Sequence, residues 1–151
     1  MENLISETEK FAVELLNNNL DSRFVYHNLA HTQRVVEKAN ELADLAQIDL
    51  LDKKYLIVSA WLHDIGYTET IDKHELHSVK IAEEFLKEKV QEILKNMDEK
   101  YREVLILKYL EDKDYKEISD ILKKPMGSVA TLINRAKKNF KDMMLKNNVN
   151  L

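Results

Sequence analysis

The chain has 151 residues, 44% hydrophobic and 33% charged, enough apolar material for a packed core and too much for disorder. Two Gly and one Pro exclude the many tight turns of an all-β sandwich or barrel. The absence of Cys excludes a disulfide framework, a thiolate metal site and a thiol nucleophile. The net charge of −4 is uneven: residues 1–94 carry −8 and residues 95–151 carry +4, which suggests two functional parts. No apolar run approaches the roughly 20 residues of a membrane span, and the acidic, polar start MENLISETEK is unlike a secretory signal. A soluble, cytoplasmic, all-helical protein is expected.

In chain order, residues 4–17 predict an amphipathic helix with Leu4, Phe11, Leu15 and Leu16 near helical spacing. Asn17-Asn18-Asn19 and Asp21-Ser22 break it. A second helix is expected over about 29–46, with His31, Val35, Ala39, Leu42 and Ala46 on one face. A third is expected over about 52–65, with Leu56, Ala60 and His63 inward and Gly66 as its C-terminal cap. A fourth starts near His74, aligns His77, Ile81 and Phe85, and has no Gly or Pro to stop it before Met97. Helices follow over about 99–110, 114–122 and 126–146. Asp114 and Glu117 form a capping-box variant, and Lys123-Lys124-Pro125-Met126-Gly127 is the turn before the last helix.

The histidines carry the first chemical signal. His31 and His63 lie on apolar helix faces, Asp64 follows His63, and His74 and His77 share a face about one turn apart. Four imidazoles and a carboxylate directed to one interior are costly unless a metal or hydrogen bonds satisfy them. Neutral imidazole with carboxylate suits a divalent transition metal, Mn, Fe, Co or Zn, with positions left for water and phosphate.

These residues stand in three blocks: Tyr26-His27-Asn28-Leu29-Ala30-His31-Thr32, then Ala60-Trp61-Leu62-His63-Asp64-Ile65-Gly66-Tyr67, then His74-Glu75 with Ser78 and Ile81-Ala82. Over about residues 20–88 the chain resembles the HD superfamily of metal-dependent phosphohydrolases, an all-helical family that hydrolyses phosphoesters, often of nucleotides. The resemblance implies His31, His63 and Asp64 as metal ligands, His77 as a ligand of a second metal, and Asp64, His74 and Glu75 at the reacting centre. It also implies a nucleotide or other phosphorylated small molecule as substrate. The family completes its site with a later Asp; no matching block occurs here, and Asp120 is the one candidate on a helix at a suitable distance.

The second signal lies in Tyr101-Arg102-Glu103-Val104-Leu105-Ile106-Leu107-Lys108-Tyr109-Leu110, Tyr115-Lys116-Glu117-Ile118-Ser119-Asp120-Ile121-Leu122, Pro125-Met126-Gly127-Ser128-Val129 and Asn134-Arg135-Ala136-Lys137-Lys138. A short helix, a tight turn and a basic second helix are the parts that enter a major groove. Residues 89–142 resemble region four of bacterial sigma factors, a helix-turn-helix that reads the −35 promoter element and partners RNA polymerase. The resemblance implies that Ser128 caps the recognition helix and contacts phosphate. It implies that Thr131, Asn134 and Arg135 meet bases or backbone, and that Lys137 and Lys138 hold phosphates. Two departures stand out: Lys123 and Lys124 occupy the turn where the family has Gly and an apolar residue, and Ala130 and Leu132 stand where it is usually basic. Lost cations predict weak binding of double-stranded DNA, and an exposed Leu132 suits a protein partner.

The two resemblances meet near residues 88–89, inside one predicted helix without a linker, as in a recombined or designed fusion. The expected architecture is a compact helical bundle with a C-terminal helix-turn-helix, parts 1–88 and 89–151 sharing one core. In it Val104, Leu105, Leu107 and Leu110 cover the face left by the missing helices; otherwise a homodimer covers it. Three functions compete: metal-dependent phosphohydrolase, DNA-binding transcription module, and helical protein with neither activity.

Overall fold

The computed structural model describes residues 4–146, which form helices and turns with no strand among the described residues. The order is α1 (Leu4–Asn19), α2 (Leu29–Leu45), α3 (Leu50–Leu62), a 3₁₀ turn (Ile65–Thr68), α4 (His74–Lys95), α5 (Glu99–Leu105) running into a wide helical turn (Ile106–Leu110), α6 (Tyr115–Leu122) and α7 (Met126–Lys146). No helix among the described residues is long and apolar enough to cross a membrane. The chain divides into two compact units, Met1–Lys87 and Glu88–Leu151.

In the first unit, α3 packs against α1 and α2. Ala12, Ile57, Val58, Trp61, Leu62 and Ile65 form its buried centre, with Phe11, Leu29, Val36, Ile81, Ala82 and Leu86 packed around them. Phe11 and Phe85 stack at 4.4 Å. Local signals set the helix starts. The Asn28 side chain accepts the His31 backbone N–H at 3.0 Å, and Asp49 accepts those of Leu51 and Asp52. Each such cap satisfies an orphan donor and is worth about 1 kcal/mol.

Three expectations for this unit need correction. On α2 the buried residues are Thr32 and Ala43, whereas Leu42 is 63% exposed and Ala46 is also outward. On α3 Ala60 is buried as expected, together with Ile57, Val58, Trp61 and Leu62, whereas Leu56 is exposed. A spacing of 3.6 allows several overlapping arcs, and on α2 the true arc is one residue away from the expected one. Gly66 is not the cap of α3, which ends four residues earlier. It lies where the 3₁₀ turn meets the start of α4: a Cβ there would stand 2.0 Å from the His74 carbonyl oxygen and 2.6 Å from the Ser78 nitrogen. Its N–H donates to Ser78 Oγ at 2.8 Å, so the residue is glycine because backbone meets backbone.

In the second unit, α7 packs against α5 and α6. Its core is Leu94, Met97, Val104, Leu105, Leu107, Ile118, Val129, Ile133 and Ala136. Val104, Leu105 and Leu107 are therefore buried within their own unit, while Leu110 is 61% exposed. The expected single helix over 99–110 widens at Ile106–Leu110, where Glu111 N–H bonds to the Ile106 carbonyl. The wider turn carries one more residue per hydrogen-bonded ring, which shifts the phase and turns Leu110 outward.

Candidate metal centre and nucleic-acid interface

Asp64 is the hub of the first unit's polar cluster. It stands just after His63, the C-cap of α3, leads into the 3₁₀ turn, and is buried, with a side chain only 9% exposed. Its Oδ2 lies 2.8 Å from His27 Nδ1, 3.1 Å from His63 Nε2 and 3.5 Å from His31 Nε2. His63 Nδ1 sits 2.8 Å from the Ala60 carbonyl oxygen. A carbonyl only accepts, so Nδ1 carries the proton and Nε2 turns towards Asp64. A neutral His63 then sets a lone pair against a carboxylate oxygen, and a proton or a metal ion between them removes that repulsion. Burial pushes the His31 pKa below the ordinary imidazole value, outweighing the opposing pull of Asp64, so His31 presents a neutral lone pair at pH 7.

Aromatic rings hold these imidazoles in place. Tyr67 stacks on His74 at 3.9 Å and on His27 at 4.3 Å, and Tyr26 lies 4.7 Å from His31. Burial, then the charges of Asp64 and Glu75, raise the Tyr67 pKa, so the phenol stays protonated. One ligand atom from each of His27, His31 and Asp64 falls within 4.8 Å of the others, a cluster able to hold a metal ion, with His63 beside it. Imidazole nitrogen with carboxylate oxygen is the donor set that would suit Mn, Fe, Co or Zn.

Of the residues expected here, the structure brings His31, His63 and Asp64 together. His74 stands at the edge, its ring 6.2 Å from that of His27, with Nε2 3.5 Å from a largely exposed Glu75. His77 is engaged elsewhere, with Nδ1 2.5 Å from Glu69. Asp120 is exposed on α6. His27 is the residue that sequence reasoning missed. It precedes α2 in irregular chain, where helical periodicity says nothing, although it stands four residues before His31 in the same block.

In the second unit, α6 opens with the expected capping box, Asp114 and Glu117 each accepting the other's backbone N–H at 2.7–2.8 Å. It closes on Lys123 in the left-handed region, φ 50° and ψ 44°. The Lys124 N–H bonds back to the Ser119 carbonyl at 3.1 Å. Pro125 then starts α7 at Met126, so Ser128 is a first-turn residue and not the cap; its own N–H bonds to the Pro125 carbonyl. Val129, Ile133 and Ala136 are buried on α7, and Ser128, Thr131, Asn134, Arg135, Lys137 and Lys138 are all exposed. Lys100, Lys124, Gly127, Ser128, Thr131, Leu132 and Arg135 line a groove of about 530 Å³. Lys100 and Lys124 are additions to the expected set. Lys100 comes from α5, a helix that the sequence gives no reason to place beside this face.

A helix, a tight turn and a second helix with a buried apolar stripe behind a cationic face form a helix-turn-helix. Residues 87–140 match the family model for sigma-70, region 4. No curated protein and no solved structure matches the chain. The matched stretch begins near the end of α4 and stops inside α7, so it contains the whole groove. Leu132 lines the groove while packing against the core.

Proposed function

We propose that the protein is a transcription-associated DNA-binding module that docks α7 against double-stranded DNA. The observation that carries this reading is the coincidence of the sigma-70 region 4 match with the cationic groove of Lys100, Lys124 and Arg135. RNA polymerase is the protein partner that such a segment suggests. Binding is weak and dominated by phosphate, because Ala130 and Leu132 bring no charge. Titrating the full chain into a labelled duplex at ~50 mM salt is expected to give salt-sensitive binding. Lys137→Ala lowers affinity for all sequences alike and reduces the salt slope by about one. No detectable binding at that salt overturns the reading.

A second reading, a metal-dependent phosphohydrolase, is favoured by one observation: three imidazole nitrogens within 3.5 Å of a single buried carboxylate oxygen. A bound divalent ion would acidify a coordinated water and orient a phosphate. His31, His63 and Asp64, with His27, would hold the ion, and the Tyr67–His74 stack would fix one wall. The purified protein is expected to contain Mn, Fe, Co or Zn, and the His63→Ala, Asp64→Ala double variant to lose it. Unchanged metal content in that variant overturns this assignment.

A further inference from the structure

His27 reaches Asp64 from the irregular chain between α1 and α2, so no helix fixes its ring. What lies against that ring is Tyr67, 4.3 Å away and within 25° of parallel. Tyr67 stands on the 3₁₀ turn that follows Asp64, and its N–H donates to the Asp64 carbonyl at 3.1 Å. The turn that carries the carboxylate therefore also carries the ring. His74, at the start of α4, stacks on the same Tyr67 ring at 3.9 Å and 19°, while its own ring stays 6.2 Å from that of His27. The His74 nitrogens are turned to the Ile71 carbonyl at 3.4 Å and to Glu75 at 3.5 Å. His74 thus offers the cluster a ring face rather than a lone pair, and it offers that face through Tyr67.

We propose that Tyr67, backed by His74, is a positioning residue for metal uptake: it holds the His27 ring against Asp64 and favours the state in which that ring has given its lone pair to a cation. An imidazole drained of electron density by a divalent ion is drawn to the negative face of a phenol more strongly than a neutral imidazole is. The stack therefore gains strength when the ion is bound, and only such a difference between two states shifts an affinity. Holding the ring beforehand also removes freedom that binding would otherwise have to remove. The inference rests on the metal-binding reading of the same cluster and adds what sets its strength.

Zinc is titrated into the metal-stripped full chain at pH 7 in competition with a chromophoric chelator. Tyr67→Phe keeps the ring and is expected to bind as wild type does. Tyr67→Leu keeps bulk without a π-face and is expected to bind about tenfold more weakly. His74→Leu is expected to give a smaller loss in the same direction. In a His27→Ala background, which retains His31, His63 and Asp64, Tyr67→Leu is expected to cost nothing further, a result that general loss of folding would not produce. Equal losses in both backgrounds, or a Tyr67→Leu variant that binds as wild type does, overturn the inference and leave the metal-binding reading in place. If Tyr67→Leu does not fold, fluorination of the phenylalanine ring in Tyr67→Phe decides instead. It keeps the shape while emptying the face of electron density, and affinity should fall stepwise with each fluorine. An affinity indifferent to fluorine overturns the inference. Wild-type protein that takes up no zinc removes the metal-binding reading and this inference together.

Discussion

Lys54 ends its side chain in a place that suits a methyl group better than an ammonium. Its Nζ is buried without a hydrogen-bond partner among the described residues, and burial lowers its pKa from the ordinary value of 10.5. The folded chain therefore holds this proton less tightly than the unfolded chain does. The penalty is full below the depressed folded value and fades as pH climbs towards 10.5, so stability rises with pH across that window. Lys54→Met is expected to stabilise the protein by about 1–3 kcal/mol at pH 7. Denaturant unfolding of both proteins at pH 7 and pH 10 checks this: the gain should shrink at the higher pH, and a Met variant less stable than wild type refutes it. Neither Lys54 nor His27 was legible beforehand. The sequence shows which residues share a helix face, but the solvation of one amine and the reach of an imidazole from irregular chain depend on packing from other elements.

At the scale of elements, the strongest local signals were readable and the long-range ones were not. The Asp114–Glu117 box and the Lys123 turn are both local to α6 and its end, and both stand where sequence placed them. Gly66 was misread because its reason lies eight to twelve residues downstream, in the backbone of α4. Lys123 is the weak point of the helix-turn-helix: a side chain in the left-handed region costs roughly 1 kcal/mol, which glycine avoids. Lys123→Gly is expected to stabilise the second unit by about 0.5–1 kcal/mol, a gain reduced by glycine's extra freedom in the unfolded chain. A rise of a few degrees in the thermal midpoint, with DNA affinity unchanged or slightly lower through the lost charge, is the result to look for. A fall in the midpoint would show that the Lys123 stem contributes packing that outweighs the strain.

At the scale of the whole molecule, two clusters of buried apolar residues occur among the described residues, one in each unit. Both draw on α4: Ile81, Ala82 and Leu86 pack against one, and Val90 and Leu94 belong with the other. This helix runs from His74 to Lys95 without Gly or Pro, so neither cluster can melt without stripping contacts from it. Unfolding is therefore expected to be one cooperative event. Trp61, the single tryptophan, reports the first unit, while far-ultraviolet ellipticity reports all helices. Coincident midpoints support shared cooperativity, and a separate Trp61 transition refutes it. Leu105→Ala, a truncation in the second cluster expected to cost about 2–5 kcal/mol, should lower the Trp61 midpoint as well. The helical class was legible from composition because Gly and Pro are scarce. The grouping of apolar residues into clusters was not, since one stripe from Phe85 to Met97 is compatible with one core or with two.

The contact at Gly66 makes the imidazole cluster observable from a distance. The Gly66 amide is buried and its hydrogen is held by Ser78 Oγ, on the same first turns of α4 that carry His74. That hydrogen can trade places with a solvent deuteron only when the start of α4 lifts from the turn that follows Asp64. The exchange clock of one backbone amide thus counts the excursions in which the wall beside the histidines opens, and anything that ties the imidazoles and Asp64 together should slow it.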